Sequence, residues 1–183
     1  MRRAFYTLIF LFGLVPISAA SAQQRADQLA AISWLVGEWT GVGVGQPGTS
    51  ATVRHNQRIH NDRFIKVEAR SDYPPRGANT IGEVHTSTDV WSFDRRRGLL
   101  VMRQFDSLGF AMTYVQDAAA STNGRIVLVS EQLENVPAGW RARYTYEHPA
   151  SNEYRELFEL DSGNGYERYV SNSFRRTEPS PAH

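Results

Sequence analysis

The sequence predicts an all-β domain, an antiparallel up-and-down barrel of about ten strands, and three observations carry that reading. From Gly37 onward, apolar and aromatic residues alternate with polar ones at period two, as in strands with one buried face. The runs are joined by short segments rich in Gly, Asn, Asp and Pro, which is hairpin chemistry. Only residues 25–35, with Leu29, Ile32, Trp34 and Leu35, show helical spacing, so one short N-terminal helix is expected. An open meander of this many strands would expose two hydrogen-bonding edges, and closure removes them. A two-sheet sandwich is the structural alternative.

The expected strands are 37–44, 51–60, 63–71, 79–93, 99–106, 110–116, 125–134, 140–147, 153–160 and 166–176. Hairpin turns are expected at 94–98, 107–109, 135–139 and 161–165, and Pro74-Pro75 breaks the chain between the third and fourth strands. Alternation assigns the faces. Trp39 shares an inward face with Gly41 and Gly43, which leave room beside bulky neighbours. Trp140, Ala142, Tyr144 and Tyr146 share one face, with Arg141 and Arg143 on the other. In the fifth strand both faces carry bulk: Leu99, Val101 and Phe105 oppose Leu100 and Met102. Trp39, Trp91, Phe105, Trp140 and Phe158 are expected in the core, where aromatics contribute most to burial.

At the start of the chain, Arg2 and Arg3 precede an apolar run at 8–15, then Pro16 and small residues, with Ala20-Ser21-Ala22 reading as a cleavage site. The run is shorter than the roughly 18 apolar residues a membrane span needs. The expectation is export to the periplasm or beyond, with a signal peptide at 1–22, one domain at 23–176 and a disordered tail at 177–183. Cleavage would move the formal charge from +1 to −1, because Arg2 and Arg3 are the only charges lost. Near neutrality argues against nucleic acid as a partner and against strong attraction to anionic lipid. The chain has no cysteine, which excludes thiol catalysis, disulfide exchange and cysteine-based metal sites. The domain is therefore held by its core and its strand ladders.

Trp34-Leu35-Val36-Gly37-Glu38-Trp39-Thr40-Gly41 resembles the opening of calycin-type barrels, the lipocalins, fatty-acid-binding proteins and nitrobindin-like haem-binding barrels. The stretch from Gly82-Glu83-Val84-His85 to Trp91-Ser92-Phe93-Asp94 resembles, more specifically, an exported bacterial family without assigned chemistry that is grouped with the nitrobindin-like barrels. Arg103-Gln104-Phe105, Pro137-Ala138-Gly139-Trp140 and Phe158-Glu159-Leu160 extend that similarity. The resemblance implies a lipocalin-like barrel holding a small hydrophobic or amphipathic molecule. It implies haem as a second reading; a barrel packed shut, with a structural or interaction role, is a third reading that the sequence leaves open. Nitrobindin-like barrels hold haem through a histidine late in the chain. The last strand here has none, and His148 lies at a strand end, so no axial ligand is carried over.

His85, Ser87 and Asp89 share one strand face, but two-residue spacing separates them by roughly 7 Å. A working triad needs contacts near 3 Å, and no Gly-x-Ser-x-Gly elbow is present. The pattern favours a binding protein over an enzyme. His55 and His60 point to opposite faces of one strand, so no metal site is expected. Arg95-Arg96-Arg97 reads as a solvated hairpin tip.

The candidate ligand-binding residues are Arg103, Tyr114, Trp39, Trp91, Trp140, Tyr144 and His85. Arg103 leads because Leu99, Val101 and Phe105 share its face, and a charge among apolar groups is either snorkelling or paired inside. An interior arginine with a tyrosine hydroxyl could hold an acidic head group while aromatics surround the apolar part. Arg143 faces away from Tyr144 and Tyr146, as an exterior arginine pairing with a strand glutamate would.

Overall fold

The computed structural model describes residues 27–77 and 80–177. The expected signal peptide lies outside them, as do residues 178–183 of the expected tail. The strands are β1 (Gly37–Gly45), β2 (Gly48–Ile59), β3 (Phe64–Tyr73), β4 (Glu83–Asp94), β5 (Leu99–Asp106), β6 (Ala111–Gln116), β7 (Arg125–Glu134), β8 (Arg141–Ala150), β9 (Glu153–Asp161) and β10 (Glu167–Arg176). Each pairs antiparallel with its sequence neighbours. β1 also pairs with β10, so the sheet closes into a barrel rather than splitting into a sandwich. Among the described residues, no helix is long and apolar enough to cross a membrane.

The expected short helix before β1 is a 3-10 helix over Ala30–Leu35. Its N-cap Leu29 and its buried residues Ile32 and Leu35 recur every third position, which matches a helix with three residues per turn.

That 3-10 helix plugs one end of the barrel. Leu29, Ile32 and Leu35 pack in one core with Trp39, Trp91, Tyr154 and Phe174, all almost fully buried. Tyr154 meets Trp39 edge-on at 4.8 Å and stacks on Phe174 at 4.4 Å. The Trp39 indole N–H donates to the Leu35 carbonyl at 2.8 Å, tying plug to strand. On the outer side of the plug, Trp34 stacks on His148 at 4.7 Å.

Gly41 and Gly43 follow Trp39 on the inward face, as expected. A Cβ on Gly41 would lie 2.9 Å from the Phe174 ring, and one on Gly43 would lie 2.3 Å from Asn172 Oδ1. The two glycines let β10 side chains cross the barrel in front of β1. Phe105 departs from the expected core, being 55% exposed, because β5 turns Leu100, Met102 and Gln104 inward. Trp140 also departs from it, lying 36% exposed at the end opposite the plug.

Candidate functional site

Successive hairpins alternate between the two barrel ends, and the plug seals only one. At the other end a cavity of about 440 Å³ opens into the barrel. Ala69 from β3, Met112 from β6, and Phe158 and Leu160 from β9 form its walls. Leu108, Pro137 and Trp140, from the β5–β6 and β7–β8 connections, stand at its mouth. The floor is polar. Arg54, Ser71, Ser87, Gln104 and Tyr144 reach it from β2, β3, β4, β5 and β8.

Beneath the floor a belt of buried polar side chains separates cavity from plug. Arg54 donates from Nη1 to Thr52 Oγ1 at 2.6 Å and to the Val53 carbonyl at 3.1 Å. Its Nη2 meets Glu156 Oε1 at 3.3 Å, and the guanidinium lies 4.9 Å over the Phe174 ring. Asn172 Nδ2 donates to the same Glu156 oxygen at 2.9 Å. Across the barrel, Asp89 Oδ1 accepts from Gln104 Nε2 at 3.0 Å and from Ser87 Oγ at 3.1 Å. Gln104 Nε2 also reaches the Tyr144 hydroxyl at 3.3 Å.

Arg54, Asp89, Gln104 and Glu156 are all buried. Burial penalises the Arg54 charge, but Glu156, with Asp89 farther off, raises its pKa above the ordinary arginine value. Burial pushes the Asp89 carboxyl up to about 6, against the hydrogen bond from Gln104 and the Arg54 charge. Burial likewise drives the Tyr144 hydroxyl well above the usual tyrosine range, so it stays protonated.

Of the residues singled out from sequence, Trp140, Tyr144 and His85 line the cavity. His85 sits near the mouth, with Nε2 2.9 Å from Glu83 and its ring 4.9 Å from Tyr73. Tyr114 is fully buried behind the wall, donating to Met112 Sδ at 3.1 Å and meeting Tyr144 edge-on at 5.2 Å. Trp39 and Trp91 belong to the packed core and do not line the cavity.

Arg103 is the principal correction. It is exposed on the outer face of β5 and donates to Ser92 Oγ at 3.3 Å, so it neither lines nor reaches the cavity. Phe105 faces outward with it at 55% exposure, and Val101, on the same side of the strand, is buried outside the core cluster, so the apolar company that suggested an interior position lies on the outer side of the barrel. Arg143 also faces outward, in a bidentate pair with Glu159 at 2.7 and 2.8 Å. Ser87 does contact Asp89, but His85 turns to Glu83 instead, so the three form no relay. His55 lies outside the barrel against Glu38, and His60 occupies the β2–β3 turn.

Sequence reasoning missed Arg54, Gln104, Glu156 and Asn172. Glu156 had a readable signal, since it shares a face with Tyr154, Phe158 and Leu160.

No protein-family model matches this chain, and no curated protein matches it. Among solved structures, Rv2717c from M. tuberculosis is similar, with a TM-score of 0.60 at 15% identity over 84% of this chain and 99% of that one. The fold is calycin-like. A weaker likeness, with a TM-score of 0.42 at 11% identity, links 80% of this chain to 97% of EF1p2_mFAP2b, solved bound to DFHBI. The redesigned β-barrel mFAP1, also bound to DFHBI, gives 0.37 at 12% identity over 80% and 98% of the two chains.

Nothing in the cavity lining singles out a haem ligand. An axial ligand is a His, Met, Cys or Tyr aimed at the iron. His85, the one imidazole lining this cavity, is turned to Glu83 near the mouth. Met112 sulfur accepts from Tyr114, and the Tyr144 hydroxyl is engaged with Gln104.

Proposed function

We propose that the protein is a binding module that holds a small hydrophobic or amphipathic molecule in this cavity. The observation that supports the reading best is the lopsided interior: one end is sealed by the Trp39 core, and the other opens over apolar walls onto a fixed polar floor. The cavity volume falls within the roughly 300–1,000 Å³ typical of small-molecule sites. Apolar walls supply affinity, and a few converging polar groups set orientation. Kinship with the exported nitrobindin-like barrels forms part of the proposal as a matter of fold, without haem.

Export to the periplasm or beyond is also proposed, supported by Arg2, Arg3, the apolar run at 8–15 and Ala20-Ser21-Ala22. Intact mass of the exported protein should begin at Gln23, and retention of residues 1–22 would overturn this part.

Binding is tested with Nile red, a neutral apolar fluorophore. The wild type should enhance its emission saturably. Ala69→Trp, which fills the cavity from β3, should abolish the enhancement while circular dichroism still reports a folded barrel. Undiminished enhancement in the folded variant would place the dye elsewhere and defeat the reading.

A further inference from the structure

The hydroxyl protons at the cavity floor point away from the cavity. Thr52 Oγ1 has one proton, and the Arg70 carbonyl 3.1 Å away can only accept it. The same oxygen accepts from Arg54 Nη1. In its 3.0 Å contact with Ser71 Oγ, Thr52 is therefore the acceptor, and Ser71 donates. Ser87 Oγ lies 3.1 Å from an Asp89 carboxylate oxygen, which accepts only, so Ser87 donates as well. Both serines line the cavity with their protons already committed to the belt behind them, and both present lone pairs to whatever enters. Tyr144 is tied into the same belt: its oxygen accepts from Gln104 Nε2 at 3.3 Å, and its proton is directed at Gln104 Oε1 at 3.4 Å.

The charges point the same way. Arg54 is the one cation in the belt, and its hydrogen bonds go to Thr52, the Val53 carbonyl and Glu156. Asp89 is a second buried carboxylate with no cation of its own.

We propose that the cavity selects molecules whose buried end is an uncharged hydrogen-bond donor, an alcohol or a primary amide, and rejects carboxylates. This rests on the binding-module reading above and names its ligand class. An alcohol seated on the floor donates to Ser71 or Ser87. A carboxylate sets its own lone pairs against those of both serines and adds a third negative charge beside Glu156 and Asp89. This is the reverse of the acid-holding interior that an inward Arg103 would have made.

The test is competition against bound Nile red near pH 8, using decanol, decanamide and decanoate, which differ only at the head group. Decanol and decanamide should displace the dye about tenfold or more better than decanoate, the difference one mismatched buried hydrogen bond makes. In the Ser71→Ala/Ser87→Ala double variant, the ratio of decanol to decanoate displacement should collapse toward one. Decanoate competing as well as decanol would overturn the proposal, and so would a bound dye that none of the three displaces. A wild type that does not bind Nile red would overturn the binding-module reading and this inference with it.

Discussion

The guanidinium of Arg176 lies 4.1 Å over the Trp39 ring, and its two terminal nitrogens donate to the Val36 and Trp34 carbonyls at 2.7 and 3.0 Å. A residue of the last strand thus covers the first strand's tryptophan and satisfies carbonyls at the end of the 3-10 helix, which no further helical turn supplies. Barrel closure and plug are fastened by the same side chain. Trp39 in turn holds the Leu35 carbonyl, and so does Asn56 at 2.8 Å.

Replacing Arg176 by Met keeps the aliphatic stem and removes the cation and its donors. Stability should fall by about 2–3 kcal/mol, the sum of a partly desolvated cation–π contact and lost hydrogen bonds. Urea denaturation followed by tryptophan fluorescence measures it. An unchanged midpoint would mean that the plug is held by its apolar face alone.

Trp39→Ala removes the largest side chain of the sealed end, 1% exposed in the fold. The expected loss is about 3–5 kcal/mol, the range for deleting a buried aromatic. A loss below about 1 kcal/mol would contradict the packing against Tyr154 and the plug.

The closed barrel was legible in the sequence because most strands carry unequal faces. β8 reads without ambiguity: Ala142, Tyr144 and Tyr146 point in, Arg141 and Arg143 point out. β5 does not, since Leu99 and Val101 on one face are as apolar as Leu100 and Met102 on the other. Parity there had no hydrophobic contrast to follow, and the argument from a charge among apolar groups settled on Arg103. The same argument holds on β9, where Glu156 sits among Tyr154, Phe158 and Leu160 against a mostly charged opposite face. β2 inverts the usual pattern. Its inward residues are Ser50, Thr52, Arg54 and Asn56, and Val53 is exposed, so hydrophobic alternation hides that strand's contribution. Polar belts of this kind follow from partners supplied by distant strands, which period alone does not reveal.

Arg54 and Arg103 should respond in opposite ways to the same substitution. Arg103→Met changes an exposed side chain with one hydrogen bond to Ser92, and stability should move by no more than about 0.5 kcal/mol. Arg54→Met strands the buried Glu156 carboxylate and should cost about 3–5 kcal/mol. Adding Glu156→Leu to Arg54→Met should recover part of that loss, because the orphaned charge is gone. Chemical denaturation of the wild type, Arg103→Met, Arg54→Met, Glu156→Leu and the double variant checks this, and additive losses in the double variant would deny the coupling.

Asp89 gives the stability a pH dependence of known sign. Burial raises its folded pKa from 3.8 to about 6, so the folded state holds this proton more tightly than the unfolded chain does. For an acid shifted upward, the destabilisation is absent below about pH 4, grows between 4 and 6, and is complete above. Two units correspond to roughly 3 kcal/mol lost by neutral pH. Asp89→Asn removes the ionisation and keeps an Oδ1 that can accept from Gln104 and Ser87. Its new amide donors lack an obvious partner, which lowers stability by a similar amount at every pH. The quantity to read is therefore the change with pH in the variant-minus-wild-type difference. That difference should shift in the variant's favour by up to about 3 kcal/mol between pH 4 and pH 8. Denaturant titrations of both proteins across this range measure it directly, and a difference that stays flat would show that Asp89 titrates as an ordinary solvated carboxylate.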